Sequence, residues 1–353
     1  MKNLLYFIFY IALLVPFNSF SQGCEEPESS DGDSEKSIKI IGFIQPQYEY
    51  HFTEDEDNFI ENSNTFKFKR ARIGVTGQIP YDFSYYVLVE TSPFVSASGY
   101  PYLIDAFVSY RRFEWAKFSM GSFKQPFGLE VNTSCSGLHT IERSKASDQF
   151  VSPQRDYGFM VFGGTKESLL RYSVAIMNGS GLGHKDNNNK KDLSGRVVFH
   201  PLDFLNVGVS ARYGFPRKDT TNRTSFAGDI EVKYSNFMFQ AEYIFDKGDY
   251  DPGSGGGCGG PAVILGDKRN GWYAMAMYRT YFDLEPIIKF ESFIQDVDAD
   301  NEYKEYIATI GVNYFFNDKT RLQANYRYAM EKNKDATAEI PNDAILLQLQ
   351  IKF

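Results

Sequence analysis

The last eleven residues, "DAILLQLQIKF" at 343–353, alternate between apolar and polar side chains. One parity carries Ile345, Leu347, Leu349, Ile351 and Phe353, and the other carries Gln348, Gln350 and Lys352. Because successive side chains of a β-strand point to opposite faces, this segment is predicted to be a strand with one apolar and one polar face. An amphipathic edge strand of a soluble antiparallel sheet would show the same pattern, so the rest of the chain has to decide.

The same alternation recurs from residue 38 onwards, for example in "NVGVSARYG" at 206–214, "FAGDIEVKY" at 226–234 and "RLQANYRYA" at 321–329. We assign strands at 38–51, 66–79, 81–92, 101–113, 115–124, 156–165, 168–178, 191–200, 204–214, 223–234, 236–247, 270–281, 285–295, 302–315, 320–331 and 343–353. An even number of strands, each long enough to cross a bilayer when tilted, is what a closed outer-membrane barrel requires. We therefore predict an all-β fold, a transmembrane antiparallel β-barrel of about 16 strands.

The composition fits this prediction although the mean hydropathy is only −0.37. Beyond the N-terminus no apolar run approaches the roughly 18 residues that a spanning helix needs. A mean hydropathy does not reveal a membrane barrel, because each lipid-facing residue is followed by a polar one that faces the lumen. The polar faces of the strands repeatedly carry Arg, Gln, Asn and Glu. Aromatic residues near the strand ends resemble the aromatic girdles of a membrane barrel, namely Tyr213, Tyr234, Tyr328, Phe245 and Phe353. These features favour the barrel over a soluble sandwich.

The N-terminus predicts export. Residues 1–21 combine Lys2, an apolar stretch from Leu4 to Phe17 and small residues before the predicted cleavage after Ser21, as in a signal peptide. An uncleaved membrane anchor is the alternative. Residues 22–37 are acidic and lack periodicity, which predicts a disordered lead-in, and residues 38–353 form the barrel. We therefore expect the outer membrane of a Gram-negative bacterium, with its lipid as a partner, and no nucleic-acid partner for a chain of net charge −8.

The connections alternate between tight turns and long loops, which is the outer-membrane pattern. Among the long ones, the Gly-rich stretch 248–269 is the expected exposed tip. One connection, within 123–158, lasts about thirty residues without a clean strand, and such insertions in compact folds are usually functional. We expect residues 125–155 to fold into the lumen and set the pore width. The alternative is a loop lying on the outer rim.

Three runs carry a resemblance to a known family: "FKFKRARIGVTGQIPYDFSYYVLVE", "IDAFVSYRRFEWAKFSMGSFKQPFGLE", and "IERS" followed by "PQRDYGFMVFGG". In this order they resemble the phosphate-selective porin O and P family, strongly over 66–165 and generically elsewhere. The resemblance implies an outer-membrane porin that lets small hydrophilic solutes diffuse passively, with small anions such as phosphate as partners. A homotrimeric assembly is left open.

The resemblance also suggests substrate-binding residues. Carried onto this sequence, the candidates are Arg70 and Arg72 in the second strand, Lys124 in the "FKQPFG" turn, Arg143 in "IERS" and Arg155 before the sixth strand. Fixed cations attract anions, and guanidinium groups match phosphate oxygens. Alternatively, these cations have a structural role, in which ion pairs attach the loop to the barrel wall. The pairs would be Glu142 with Arg143 and Arg155 with Asp156. Acidic residues on the lumen-facing side of the strands weaken the positive field, so we expect only a weak preference for anions. These acidic residues are Glu90, Asp105, Glu231, Glu242 and Glu291.

An enzymatic function is not expected. Of the four histidines only His139 lies among hydroxyls, and nothing in the sequence places an orienting carboxylate and a nucleophile beside it. No Cys/His cluster suggests a metal, and no motif suggests a cofactor. An outer-membrane hydrolase and a surface adhesin or structural barrel remain the alternatives. The sequence also leaves open whether Cys24 carries lipid and whether Cys135 pairs with Cys258.

Overall fold

The computed structural model describes residues 38–52, 63–94, 102–217, 221–250, 263–299, 304–332 and 342–353. The signal peptide at 1–21 and the lead-in at 22–37 lie outside the described residues, as do Cys24 and Cys258. Residues 251–262 of the Gly-rich stretch lie outside them too. The predictions made for these segments therefore remain predictions.

Sixteen antiparallel strands close into one barrel, in which each strand pairs with its neighbours in sequence and the last pairs with the first. The strands are β1 Ile38–His51, β2 Ser63–Ile79, β3 Phe83–Glu90, β4 Tyr102–Phe113, β5 Ala116–Lys124, β6 Arg155–Gly163, β7 Leu170–Met177, β8 Asp192–Leu202, β9 Leu205–Gly214, β10 Arg223–Tyr234, β11 Phe237–Gly248, β12 Lys268–Tyr278, β13 Leu284–Ile294, β14 Lys304–Asn317, β15 Thr320–Lys332 and β16 Ala344–Lys352. The predicted fold class is confirmed.

Burial alternates along the strands as the sequence pattern requires. In β16 the outward side chains of Ile345 and Leu347 are 38% and 41% exposed, whereas Gln348 and Gln350 are 1% exposed inside. Closure leaves no strand edge, so the backbone N–H and C=O groups of the ladder are paired within the sheet. An apolar outer surface then meets lipid, while the polar residues line the lumen.

The barrel closes at the C-terminus. The Phe353 N–H donates to the Gly42 carbonyl at 3.0 Å, and the Gly42 N–H donates to the Phe353 carbonyl at 3.1 Å. A Cβ on Gly42 would lie 2.6 Å from the Phe353 ring, so the ring covers a position that only glycine can occupy. The terminal aromatic residue is thus part of the β1–β16 seam.

The two ends of the barrel differ. At the short-turn end, connections such as the one between β2 and β3 are tight, and Tyr81 and Asp82 there adopt positive φ values of 69° and 65°. Such backbone conformations suit the twist of two-residue hairpins. The opposite end, the loop end, carries the long connections, including residues 178–191 between β7 and β8.

A β-bulge in β2 changes which residues face the lumen. Gln45 pairs with Arg70, but Pro46 pairs with Phe68, so Lys69 is left without a partner in the ladder. Pro46 has no N–H to donate, and such positions are often bulged. As a result Lys69 also points inwards, where its Nζ lies 2.6 Å from Glu142 Oε1. From the sequence, only Arg70 and Arg72 of this strand were named as candidate site residues.

Residues 125–154, which we call the constriction loop, fold into the lumen as predicted. The loop contains two short helices, α1 Leu129–Asn132 and α2 Lys145–Phe150. Its apolar side chains, among them Phe127, Val131 and Phe150, pack in one buried cluster with Ile244 and Phe293 of the wall. The Phe150 and Phe293 rings stack at a centroid distance of 4.9 Å. None of the helices in the described part of the chain could cross a bilayer.

Candidate functional site

The constriction loop is held to the wall at its first helix. Glu242 of β11 accepts hydrogen bonds from the Leu129 N–H at 2.8 Å and the Glu130 N–H at 3.1 Å. Gly128, directly before this helix, has a φ of 75°, and a Cβ there would lie 2.4 Å from Glu242 Oε1. A glycine is therefore required where the loop backbone approaches the wall.

A second attachment involves arginines of the wall. Arg212 of β9 and Arg223 of β10 both donate to the carbonyl oxygens of Phe150 and Ser152. Both arginines also pair with the buried Asp246 of β11, as does Arg269 of β12. One carboxylate thus holds three guanidinium groups in place, and two of them fix the end of α2.

The middle of the loop is held on the other side of the barrel. Arg321 of β15 donates to the carbonyl oxygens of Ser136 and Leu138 at 3.1 and 2.7 Å. Gln323 of β15 donates to the His139 carbonyl oxygen at 3.0 Å. Further wall residues that contact loop backbone in this region are Gln45, Asn313, Asn325 and Gln350. The loop therefore spans the lumen and does not lie on the rim.

Ion pairs reinforce these contacts. Lys289 Nζ lies 2.8 Å from Glu130 Oε1, Lys145 pairs with Glu305, and Lys69 pairs with Glu142. Burial opposes ionisation of Glu142, but the Lys69 ammonium, with a hydrogen bond, lowers the pKa of Glu142 to about 2. For Glu130 burial again opposes ionisation, while the charge of Lys289 holds its pKa below the usual value. Both loop carboxylates are accordingly ionised at neutral pH.

All five cations predicted as site residues lie inside the barrel, and each has partners. Lys124 Nζ donates to the Val131 and Thr133 carbonyl oxygens, both at 2.9 Å. Arg143 donates to the Glu130 and Thr133 carbonyl oxygens, at 3.0 and 2.9 Å.

The other three candidates bind wall residues. Arg72 Nε lies 2.8 Å from Glu90 Oε2, and Arg155 Nε lies 2.8 Å from Asp105 Oδ1. Arg70 donates to Gln45 Oε1 at 2.9 Å. The structure brings Arg72 and Arg143 together, because each donates to Cys135 Sγ, at 3.3 and 3.6 Å. The pairings differ from those considered in the sequence, since Glu142 binds Lys69 and Arg155 binds Asp105.

Several lumen-facing cations were not among the residues named from the sequence. Lys69 was not named, because a β-bulge cannot be recognised from the alternation of the sequence. Arg196, Arg223 and Arg269 also face the lumen, where Arg196 pairs with Asp229. The alternation of side chains along β8, β10 and β12 places these three arginines on the polar, inward face, so the sequence could have identified them. Their pairing with Asp229 and Asp246 follows from strand register and could not be read from local sequence.

His139 gains a carboxylate partner, since its Nδ1 lies 3.0 Å from Glu285 Oε1. Asn313 Nδ2 donates to the same oxygen at 2.9 Å, and the Ser134 and Ser136 hydroxyls bond to each other at 3.3 Å. Within the described ranges no hydroxyl is hydrogen-bonded to His139, so a nucleophile–base pair is not assembled here. Those ranges likewise contain no His/Cys/Asp/Glu group suited to a metal ion.

Comparisons with known structures agree with this architecture. An anion-selective porin from Comamonas acidovorans superposes with a TM-score of 0.68 at 14% identity, over 90% of this chain and 100% of the other. The outer membrane channel DcaP of Acinetobacter baumannii gives a TM-score of 0.67 at 12% identity, over 91% and 99%. OmpT of Vibrio cholerae, in a trimer form, gives 0.62 at 13% identity, over 90% and 99%. At these identities the likeness shows the shared fold alone.

Sequence comparisons assign the family. No curated protein sequence matches the chain. The family model described as phosphate-selective porin O and P matches residues 43–236 and 218–353, which together span nearly the whole barrel. The model covers both halves of a closed sixteen-stranded barrel that has a loop across its lumen. Family and fold together indicate a channel rather than an enzyme. The chain belongs to the phosphate-selective porin O and P family.

Proposed function

We propose that this outer-membrane porin lets small hydrophilic solutes diffuse passively, with a weak preference for anions and without tight binding of phosphate. The observation that carries the proposal is the line of cations on β2 beside the constriction loop: Lys67, Lys69, Arg70 and Arg72. At a narrow point with low-dielectric walls, fixed charges act on a passing ion more strongly than they would on an open surface.

The preference is weak because these cations have acidic neighbours. Glu49 lies 2.7 Å from Lys67 Nζ, Glu142 binds Lys69, and Glu90 binds Arg72. Three of these four cations thus face a carboxylate, which weakens the positive field along β2. A site that bound anions strongly would also release them slowly, which is unsuited to conduction.

Reversal potentials in a KCl gradient test this proposal. The parent should prefer Cl⁻, and the double variant Arg70→Gln/Arg72→Gln should shift the reversal potential towards cation selectivity, more at low salt than at high salt. Millimolar inorganic phosphate should leave the KCl conductance of the parent nearly unchanged. A parent that prefers K⁺ would contradict the proposal.

Two control variants separate charge from damage to the fold. Arg70→Lys/Arg72→Lys keeps both charges and should keep the selectivity. Arg112→Gln removes one charge at the short-turn end, where the side chain is 64% exposed, and should leave the reversal potential unchanged. Heat-modifiable migration on gels shows that each variant is folded.

We further propose a homotrimer in the outer membrane. One similar structure, OmpT of Vibrio cholerae, is described as a trimer, and shared barrel architecture makes the same assembly a reasonable expectation. Light scattering of the detergent-solubilised protein should give three chains per particle after correction for detergent. A particle that contains one chain would contradict this proposal.

A further inference from the structure

Four lysines lie at the loop end of neighbouring strands on one side of the barrel. Lys247 of β11 pairs with Lys268 of β12, and Lys304 of β14 pairs with Lys332 of β15. Between these pairs, Ile294 of β13 lies opposite Lys304 and opposite the residue two positions beyond Lys268. The register therefore separates the levels of the two pairs by about two residues, or roughly 7 Å along the strands. We call the four residues the lysine belt.

The lysine belt faces the outside of the barrel. In β12 the inward Arg269 is 0% exposed, whereas Trp272, which lies on the same face as Lys268, is 41% exposed. In β14 the inward Glu305 is 4% exposed and directly follows Lys304. The same alternation runs along β11 and β15. The four ammonium groups therefore belong to the outer surface and not to the pore.

Apolar side chains lie below the lysine belt on the same outer face. They are Tyr243 of β11, Trp272 of β12, Tyr306 of β14 and Met330 of β15, which are 47%, 41%, 37% and 39% exposed. Long loops of outer-membrane barrels are extracellular, so this end of the barrel lies in the outer leaflet. A lysine at such an interface lays its methylene groups on the apolar surface and extends its charge towards the lipid headgroups.

The outer surface differs on the other side of the barrel. At the loop end of β6, β7 and β9, the outward side chains are Tyr157, Ile176 and Tyr213, which are 44%, 52% and 46% exposed. These side chains suit a lipid interface but carry no charge that would attract an anionic headgroup. The positive surface of β11 to β15 is therefore more than the general interface of a membrane barrel.

A cavity of about 730 Å³ lies beside Lys247. Thr224 of β10 contributes to its lining and lies on the outward face of its strand, as does the exposed Phe226. Hydroxyl, amide and charged groups share the rest of the lining, from Arg217, Thr221, Asn222, Asp249 and Asp267. Such a mixture of hydrogen-bond donors and acceptors matches the hydroxyl groups of a sugar.

Carboxylates near the lysine belt do not prevent it from binding an anion. Lys268 Nζ lies 2.7 Å from Asp298 Oδ2, and the Asp298 side chain is 53% exposed. Asp267 and Asp296 also interact with Lys268 electrostatically. Exposed ion pairs contribute little, whereas a phosphate group offers several charge-assisted hydrogen bonds at once. Lys268 can therefore exchange its carboxylate partner for a phosphate.

We propose that the lysine belt binds a phosphorylated glycolipid of the outer leaflet. The phosphate groups contact the ammonium groups, the sugar enters the cavity beside Lys247, and the acyl chains lie on the apolar side chains below. One surface thus matches the three chemical parts of one molecule, which a free anion does not have. The inference goes beyond the proposed pore function and is independent of it, because the belt lies outside the lumen.

Native mass spectrometry of the purified porin in detergent tests the inference with lipid A, an acylated disaccharide that carries two phosphates. The parent should retain lipid A, and it should bind phosphate-free lipid A and phosphatidylglycerol, which has no sugar, more weakly. The variant Lys304→Gln/Lys332→Gln should lose affinity for lipid A by roughly fivefold for each lysine removed. Lys304→Arg/Lys332→Arg keeps both charges and should bind as the parent does.

A matched control removes two exposed lysines at the short-turn end, and Lys166→Gln/Lys319→Gln should leave lipid A binding unchanged. Equal binding of lipid A with and without its phosphates would overturn the inference, as would parental affinity in folded Lys304→Gln/Lys332→Gln. Phosphatidylglycerol bound as tightly as lipid A would overturn the part assigned to the cavity. A parent that retains lipid A but conducts no KCl would contradict the proposed pore function alone, and a parent that conducts KCl without retaining lipid A would overturn this inference alone.

Discussion

At the scale of single residues, the lumen is a set of paired charges. Arg72 with Glu90, Arg155 with Asp105 and Lys289 with Glu130 each place a cation within 2.8 Å of a carboxylate oxygen. Burying either partner alone would be costly, because an isolated charge loses its hydration. Of these three pairs, Lys289–Glu130 joins the wall to the constriction loop, whereas the other two join neighbouring wall strands.

Glu142 gives a pH prediction for the contact between the loop and β2. Its pKa is lowered to about 2 by Lys69, so the pairing stabilises the folded loop above pH 4.5, the ordinary value of the free carboxyl. That stabilisation is lost as the pH falls from about 4.5 to about 2. We expect single-channel current noise to stay constant between pH 7 and pH 5 and to rise below pH 4.5 as the loop loosens.

The control for this prediction is Glu142→Gln, which cannot form the ion pair at any pH. Its noise at pH 7 should already be raised, and the part of the pH dependence due to this carboxyl should be absent. If the parent and Glu142→Gln respond identically to acid, the Lys69–Glu142 pair does not restrain the loop.

At the scale of elements, the constriction loop is an insertion without a strand that is ordered by the wall around it. Its helices have only four and six residues, which is too short to be stable alone. Their order comes from apolar packing of Phe127, Val131 and Phe150, together with hydrogen bonds from wall side chains to loop carbonyls. Loop and wall therefore fold as one unit.

Shortening this loop should widen the pore. Deleting residues 134–140 removes the segment held by Arg321 and Gln323 and keeps both helices. We expect a higher single-channel conductance, because a barrier across the lumen is removed. Deleting 184–189 from the connection between β7 and β8 is the matched control and should leave the conductance unchanged. A trimmed protein that folds but conducts no more than the parent would show that this segment does not limit the current.

At the scale of the whole molecule, stability depends on closure. The β1–β16 seam joins residues that are 301 positions apart in sequence at the Gln47–Gln348 hydrogen bond, so the barrel closes only after the last strand is available. Phe353 completes this seam through its backbone bonds to Gly42 and through its ring. A closed sheet has no edge with unpaired backbone N–H and C=O groups, and such groups would be costly in the hydrocarbon core of a membrane.

Two changes in the last strand test this closure. Deleting Phe353 removes two seam hydrogen bonds, and Leu347→Lys places a charge on the lipid face at a cost of about 2–4 kcal/mol near the bilayer centre. Both should reduce the heat-modifiable, folded fraction on gels after refolding into detergent or lipid. Leu347→Met keeps the face apolar and should fold as the parent does. Folding of both test variants at the parental yield would contradict the role assigned to the seam.

The sequence by itself determined the fold. The alternation along β15 and β16, the tight turns such as the one at Tyr81 and Asp82, and the terminal Phe353 each specify local geometry, and a closed barrel follows when every strand has a lipid-compatible face. The positions of the strands were predicted to within a few residues. The location of the loop in the lumen was predicted from its length, but a loop on the outer rim stayed open as an alternative until the contacts with the wall were known.

Only the tertiary structure decided the partners. The bulge at Lys69, the three arginines around Asp246 and the stacking of Tyr86 on Phe107 depend on the register between strands and on contacts across the lumen. Such contacts join residues that are distant in sequence, so a local pattern assigns a side chain to a face but not to a partner. Period-2 alternation determines the direction of each residue, whereas the pairing of charges is fixed only when the barrel closes.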